Sequence, residues 1–190
     1  MLLILHRLLC KGGIYVEKFD FNINDVEFFI IKDNLAWGDG EHETTKNMLN
    51  LIAKYGCKDK TVMDIGTGTG ILSVCCSKLG AKSVLALDIS ENAVYCADIN
   101  FKANSVEVDL RQNDLTFQVD NVVDVVLANL PDVMQPENLR TIKKNIHKDS
   151  ILIISWWKKL DFDDFSKDFE VIEHIEGEDY DNYVLKLKEE

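Results

Sequence analysis

The sequence predicts an α/β protein with a doubly wound, mostly parallel sheet and an antiparallel hairpin at its carboxyl end. Three observations lead there. From residue 60 onward, short apolar runs alternate with helix-like segments. Runs such as "VVLA" and "ILIIS" are continuously apolar, as in strands covered on both faces, not alternating as on a half-exposed sheet. The last stretch, "KDFEVIEHIEGEDYDNYVLKLKEE", reads as two strands around an acidic turn. Strand-helix alternation of this kind gives a parallel sheet with helices on both faces.

Each element follows in order. The start, "MLLILHRLLCKGG", reads as a docking helix or strand, or an extended start. His6 and Arg7 interrupt it, its apolar stretches are too short to span a bilayer, and no small-residue cleavage site follows. "YVEKFDFNINDVEFFIIKDN" has short apolar runs broken by Asn and Asp, like an irregular strand pair. "EHETTKNMLNLIAKYG" sets Met48, Leu51, Ile52 and Tyr55 at helical spacing, with Gly56 as its stop. "KTVMDIG" is a buried strand, "GILSVCCSKLG" a helix ended by Gly80, and "KSVLALDIS" a second strand. Ser90 caps the next helix, which turns Val94, Ala97 and Phe101 inward. "VEVDLRQND" and the strongly apolar "NVVDVVLANLPD" follow as strands. Pro136 opens a helix whose stripe is Leu139, Ile142 and Ile146, and "SILIISWW" is the last buried strand before the hairpin. Residues 1–36 form an N-terminal extension with strands and residues 37–190 the sheet domain, within one globular unit.

Composition narrows the partners. A net charge of -12 provides no global basic field for nucleic acid, and suits a solvated acidic surface or a basic partner. The five cysteines, Cys10, Cys57, Cys75, Cys76 and Cys96, are odd in number and show no paired metal spacing. Cys75, Cys76 and Cys96 lie within apolar helical patterns, as buried reduced thiols do, which implies a reducing compartment and a cytoplasmic protein.

The chemistry concentrates in "VMDIGTGTGILS", residues 62–73. Sheets of this class bind ligands beyond the carboxyl ends of their strands, at the switch point, and the glycine run falls at the end of the first strong strand. Glycines there permit positive φ and a close approach of the backbone. A phosphate-binding loop ends in Gly-Lys-Ser/Thr, but Ile71 follows Gly70 here. The dinucleotide fingerprint is G-x-G-x-x-G, whereas Gly66, Gly68 and Gly70 give G-x-G-x-G, preceded by Asp64 within the strand. Asp88 ends the next strand, where a carboxylate can accept both hydroxyls of a ribose.

Together, the D-x-G-x-G-x-G run and the strand-terminal acid resemble the S-adenosylmethionine-dependent methyltransferases. Two further stretches narrow the resemblance. "LAWGDGEHETTKNMLNLI" is similar to the L-A-F-G-T-G-x-H-x-T-T segment of the ribosomal protein L11 methyltransferase family, and "VVLANLPD" stands where that family has a strand ending in A-N-I-L-A. The resemblance covers roughly residues 28–160, with four motifs in order. It implies a Rossmann-like, seven-stranded class I methyltransferase fold and S-adenosylmethionine as cofactor. On the same resemblance, Gly66 and its neighbours Asp64, Thr67, Gly68 and Gly70 line the methionine end, and Asp88 holds the ribose. Thr45 contacts the cofactor from the preceding helix, and Trp37 packs over the site as an aromatic, with plain core as its other reading. Ile89 bears on the adenine ring, and Asp114 accepts from its exocyclic amine or is an ordinary turn residue. Asn129 lies near the transferred methyl as the catalytic residue, while His42 has a capping or structural role, not a catalytic one.

Departures from the family pattern set the open questions. Asp39 replaces a threonine, and Leu130, Pro131 and Asp132 replace I-L-A. The family also carries a separate N-terminal domain that recognises the ribosomal protein, and the roughly 30 residues before the match are too few to form it. "NLPD" is distantly similar to the Asn/Asp-x-Pro-aromatic loop of amino-methyltransferases, but Asp132 in place of the aromatic removes the platform for a stacked base. An aliphatic amine, such as a lysine side chain, fits better. That amine must lose a proton before attack, with Asp132, Glu41 or water as the receiver. The expected function is therefore an N-methyltransferase acting on amino groups of a basic, lysine-containing protein, without nucleic-acid or membrane partners. A small-molecule methyltransferase and a non-catalytic methyltransferase-like binding subunit are the competing readings, and oligomeric state is left open.

Overall fold

In the computed structural model the alternating segments assemble into a single seven-stranded sheet, preceded by a smaller three-stranded one. The structure describes residues 2–9, 15–32, 35–113, 122–130, 136–158 and 167–188. The chain runs β1 (Leu2–Leu9), β2 (Tyr15–Ile23), β3 (Val26–Lys32), α1 (Glu43–Tyr55), β4 (Thr61–Ile65), α2 (Ile71–Lys78) and β5 (Ser83–Asp88). It continues through α3 (Glu91–Asn104), β6 (Asp109–Gln112), β7 (Val123–Ala128), α4 (Pro136–Lys144), β8 (Ile146–Trp157), β9 (Phe169–Ile175) and β10 (Tyr180–Leu187).

The large sheet has the order β6-β5-β4-β7-β8-β10-β9. Strands β4 to β8 pair in parallel, and β10 is antiparallel to both β8 and β9. The mostly parallel, doubly wound sheet with a C-terminal antiparallel hairpin is thus present. Its strand order reverses between β4 and β7, and at that switch point the chain leaves β4 into the glycine run and β7 into Asn129. Continuous apolar strands follow from burial on both faces. In β7, Val125 and Leu127 join one core, while Val126 and Ala128 join the other.

The N-terminal start is a strand, with Leu2–Leu9 paired antiparallel to residues 15–22. Phe19, Phe21 and Ile23 alternate along β2 and face inward with Phe28 and Ile30 of β3. They share one continuous core with Met48, Leu49 and Ile52 of α1 and with Ile71 and Val74 of α2. The free edge of β3 is closed by a helix. Asn100 of α3 accepts from Ile31 N at 2.8 Å and donates to Ile31 O at 3.3 Å. One turn on, Asn104 accepts from Phe29 N at 3.0 Å and donates to Phe29 O at 2.7 Å. A strand edge that would otherwise leave its peptide groups unpaired is satisfied by two side chains.

Some expectations shift. Ile146 does not continue the α4 stripe. The helix ends at Lys144, Asn145 folds its amide back to Thr141 O at 2.9 Å, and Ile146 opens β8 while still packing with Leu139 and Ile142. In α3, Val94 is half-buried, and Ala93, Cys96, Ala97 and Phe101 make the inner face. Tyr55 is likewise half-buried, donating its hydroxyl to Glu173 at 2.6 Å. Cys57, Cys75, Cys76 and Cys96 are buried free thiols, while Cys10 lies outside the described residues. Among those residues no helix is long and apolar enough to cross a membrane.

Candidate active site

The glycine run is built by β4 and β5 together. Gly66 N and Thr67 N both donate to Leu87 O, at 2.8 and 2.9 Å, so the turn is pinned across the sheet as it leaves β4. Gly68 has φ 55°, and a Cβ there would strike the carbonyl oxygen of Trp37. What comes close to the glycines is therefore partly the chain itself: the Trp37 carbonyl at Gly68 and the Leu130 side chain at Gly66.

Asp64 sits beneath this turn at 1% exposure. Its Oδ2 accepts from Thr67 Oγ1 at 2.7 Å and Ser73 Oγ at 2.6 Å. Its Oδ1, equally buried, meets no donor among the described residues. Burial pushes the carboxyl up to about 6, against the opposing pull of the two hydroxyls. A buried carboxylate oxygen with nothing to accept from is costly, and a cationic ligand group supplies what it lacks. The donor set therefore fits the ammonium of a methionine-like ligand end.

Asp88, at the end of β5, accepts from Gly68 N through Oδ2 and from Ser90 N through Oδ1, both at 2.9 Å. Each oxygen keeps a further lone pair, so the carboxylate is held in place and still able to take a pair of hydroxyls. Ile89 follows at 72% exposure, held through its carbonyl by Gln112 Nε2 at 3.2 Å. Trp37 is 87% exposed, which rules out the plain-core reading. Its backbone is fixed, because Thr69 donates its N–H to Trp37 O at 2.8 Å and its hydroxyl to Gly38 O at 2.5 Å. Thr69 in turn accepts from Asn100 Nδ2 at 3.0 Å. Thr69 and Asn100 thus tie the glycine run to the 37–38 segment and to α3, a role absent from the sequence reading. The available signal was the pair of asparagines one helical turn apart on an otherwise apolar face.

Asn129 leaves β7 half-buried and donates through Nδ2 to Thr45 Oγ1 at 3.1 Å. Thr45 lies in the first turn of α1 at 2% exposure. His42 is the N-cap of α1, accepting from Thr44 N at 3.3 Å through Nδ1, in line with its capping role. The Asp39 substitution has a partner of its own. It forms an ion pair with Lys32 at 2.5 Å and accepts from Glu41 N at 3.0 Å. Burial pushes the Asp39 carboxyl up, but the Lys32 ammonium and the Glu41 N–H outweigh it and hold the group below the usual carboxylate range. Glu41 itself lies 4.0 Å from Lys32 Nζ. Asp114, Pro131 and Asp132 lie outside the described residues.

The structure thus brings Asp64, Gly66, Thr67, Gly68, Gly70, Asp88 and Ile89 to the end of the β4–β5 pair, with the Trp37 backbone docked on them. Thr45 and Asn129 stand as a bonded pair on the β7 side. Known proteins resemble this chain in sequence and in fold. Residues 22–184 match the family model described as ribosomal protein L11 methyltransferase (PrmA). A ribosomal protein L11 methyltransferase of Thermosipho africanus is 35% identical over 176 residues, covering 92% of this chain and 67% of that protein. The crystal structure of a ribosomal protein L11 methylase from Lactobacillus delbrueckii subsp. bulgaricus superposes with a TM-score of 0.72 at 27% identity, covering 83% of this chain and 84% of that one. A T. thermophilus 16S rRNA methyltransferase, solved with AdoMet and guanosine, shares the fold with a TM-score of 0.71 at 12% identity, covering 97% of this chain and 58% of that one. Among curated relatives the chain spans from about half to two thirds of their length. This chain belongs to the ribosomal protein L11 methyltransferase family.

Proposed function

We propose that the protein transfers the methyl group of S-adenosylmethionine to amino groups of a ribosomal protein, most simply lysine side chains. The observation that carries this is the convergence, at the sheet's switch point, of three groups. They are the open Oδ1 of Asp64, the Asp88 carboxylate and the Asn129 amide. In this reading Asp64, with Gly66, Thr67, Gly68 and Gly70, takes the methionine end, and Asp88 takes the ribose hydroxyls. Ile89 and Asp114 serve the adenine, Trp37 covers the site, and Thr45 contacts the cofactor from α1. The cofactor supplies an activated methyl on a sulfonium.

Methyl transfer from a sulfonium needs an in-line nucleophile more than a covalent catalyst. Asn129 supplies orientation: its amide oxygen accepts an N–H of the acceptor amine and aims the nitrogen lone pair. Orientation of this kind is worth roughly 7–11 kcal/mol in favourable cases. The attacking amine must be neutral, and a lysine with a reference pKa of about 10.4 gives up its proton first. Asp132, Glu41 or water receives that proton. The net charge of -12 supports a basic protein acceptor, and the four buried free thiols support a reducing, cytoplasmic setting.

The test is a radiolabelled-methyl assay with purified ribosomal protein L11 and, in parallel, lysate from cells lacking the gene. Label in the ribosomal protein, chased into methylated lysine on hydrolysis, is the expected result. Label confined to a small-molecule fraction would replace the protein acceptor, and no label at all would leave a binding subunit.

A further inference from the structure

The Asn129–Thr45 pair carries two open hydrogen-bonding valences. Asn129 gives an amide N–H to Thr45 Oγ1 at 3.1 Å, and among the described residues nothing donates to the amide oxygen or accepts the Thr45 hydroxyl proton. A hydroxyl is both donor and acceptor, and an amide presents either an N–H or an oxygen. The pair can therefore bond in two ways, with Asn129 Nδ2 donating to Thr45 or with Thr45 donating to Asn129 Oδ1. These arrangements differ by a flip of the amide. Only the first turns the amide oxygen outward, where an acceptor amine can use it.

Everything around Thr45 is fixed. His42 caps the helix in front of it. Fully buried Asn182 of β10 donates to Thr44 O at 3.4 Å and accepts from Asn47 Nδ2 at 3.1 Å, holding the first turn of α1 against the sheet. The hydroxyl rotor and the amide are the parts left free to choose. An anion placed against Thr45 removes the choice: the hydroxyl points its proton at the anion, can then only accept from Asn129, and the amide oxygen must face away. S-adenosylmethionine carries one anionic group, its carboxylate.

We infer that the Thr45 hydroxyl couples cofactor occupancy to the orientation of Asn129, accepting the amide N–H while donating to the cofactor carboxylate, so that the amide oxygen is presented to the acceptor once the cofactor is bound. This rests on the cofactor reading above, and makes Thr45 a positioning residue for the acceptor as well as a cofactor contact. Cofactor binding then precedes productive acceptor binding.

The side-chain amide of Asn129, assigned by its loss in Asn129→Ala, reports on this by ¹⁵N NMR without any acceptor. Titration of the wild type with S-adenosylhomocysteine is expected to shift and sharpen the Asn129 resonances into one set. 5′-Methylthioadenosine, which lacks the amino-acid end, is expected to bind without that change. Thr45→Val is expected to bind S-adenosylhomocysteine with an unresponsive Asn129 amide, and Thr45→Ser to restore the response. In turnover, Thr45→Val is expected to lose about tenfold or more in kcat, as misorientation at a reacting centre does, with Thr45→Ser near wild type. Binding of S-adenosylhomocysteine without a response at Asn129, or the same response to 5′-methylthioadenosine or in Thr45→Val, overturns the coupling and leaves the cofactor assignment standing. Failure of the wild type to bind S-adenosylhomocysteine overturns both. Should Thr45→Val not fold, the comparison of the two ligands on the wild type decides alone.

Discussion

Among the described carboxyl groups Asp64 is the one pushed far from its ordinary value, and the sign of its effect can be worked out. Its carboxyl titrates near 6 in the folded protein, against 3.8 for an unperturbed group, because it is fully buried. A raised carboxyl pKa means the folded state binds the proton more tightly than the unfolded chain. The free protein should therefore lose stability from this group as pH rises from about 4 to about 6. Cofactor binding should run the other way, since only the ionised carboxylate serves an ammonium, so affinity falls as pH drops through 6. Asp64→Asn should remove both slopes, raising neutral-pH stability of the free protein while weakening cofactor binding. Chemical denaturation and calorimetry across pH 4.5–7.5, wild type against variant, measure the two; parallel slopes would contradict the assignment. Asp88 makes a simpler case. Asp88→Ala should weaken S-adenosylmethionine binding by about 1.5–3 kcal/mol, the range for hydrogen bonds to charged groups, in a folded protein. Unchanged affinity would leave Asp88 as no more than a brace for Gly68 N and Ser90 N.

Both acids were legible in the sequence because strand ends and glycine spacing mark them. Thr69 and Asn100 were not, since a hydrogen bond between residues 31 positions apart leaves no local pattern. The unpaired oxygen of Asp64 was not legible either. It depends on how the Thr67 and Ser73 hydroxyls are shared, which only coordinates fix.

At the scale of elements, α3 does more than cover the sheet. Its asparagines fasten β3, and Asn100 alone reaches on to Thr69 O. Removing either amide leaves peptide groups of β3 without partners, at a cost of about 1–3 kcal/mol each. A chain of this size loses roughly 2–4 °C of melting temperature per kcal/mol. Both Asn100→Ala and Asn104→Ala should therefore melt measurably lower. The two should part at the cofactor: Asn100→Ala loosens the glycine run and weakens S-adenosylhomocysteine binding, while Asn104→Ala leaves it near wild type. Equal affinities in the two variants would show that the Thr69 contact contributes nothing to the site. Elements with a capping residue or a glycine stop were read within a residue or two, as α1 with Gly56 shows. Ile146 was misassigned because its apolar spacing continues the α4 stripe across the helix end. Periodicity registers only that a residue faces the core, and Ile146 does so from a strand. The N-terminal run was undecided for a related reason, since its eight residues gain their strand geometry from pairing with β2.

At the scale of the whole molecule, the dominant feature is a net charge of -12 on 190 residues. The exposed acids of the β9–β10 turn, Glu178 and Asp179, follow Glu176, which pairs with Lys158 at the carboxyl end of β8. That end of β8 runs parallel to the end of β7 from which Asn129 emerges. A field of this sign draws in a basic protein and aligns it before contact, accelerating encounter without adding to the chemistry. Salt should therefore act on association and not on turnover. Raising NaCl from 50 to 500 mM shortens the screening length to less than half, from about 14 Å to about 4 Å. With a ribosomal protein acceptor, kcat/KM should fall severalfold over that range while kcat stays nearly constant. S-adenosylmethionine carries a single net positive charge, so its affinity should move far less, which makes it an internal control. Glu178→Lys combined with Asp179→Lys, at exposed turn positions on the carboxyl end of the sheet, should flatten the salt dependence of kcat/KM and raise KM at low salt. If kcat/KM were indifferent to salt in the wild type, the acidic surface would serve solubility alone, and acceptor choice would have to come from short-range contacts around Asn129.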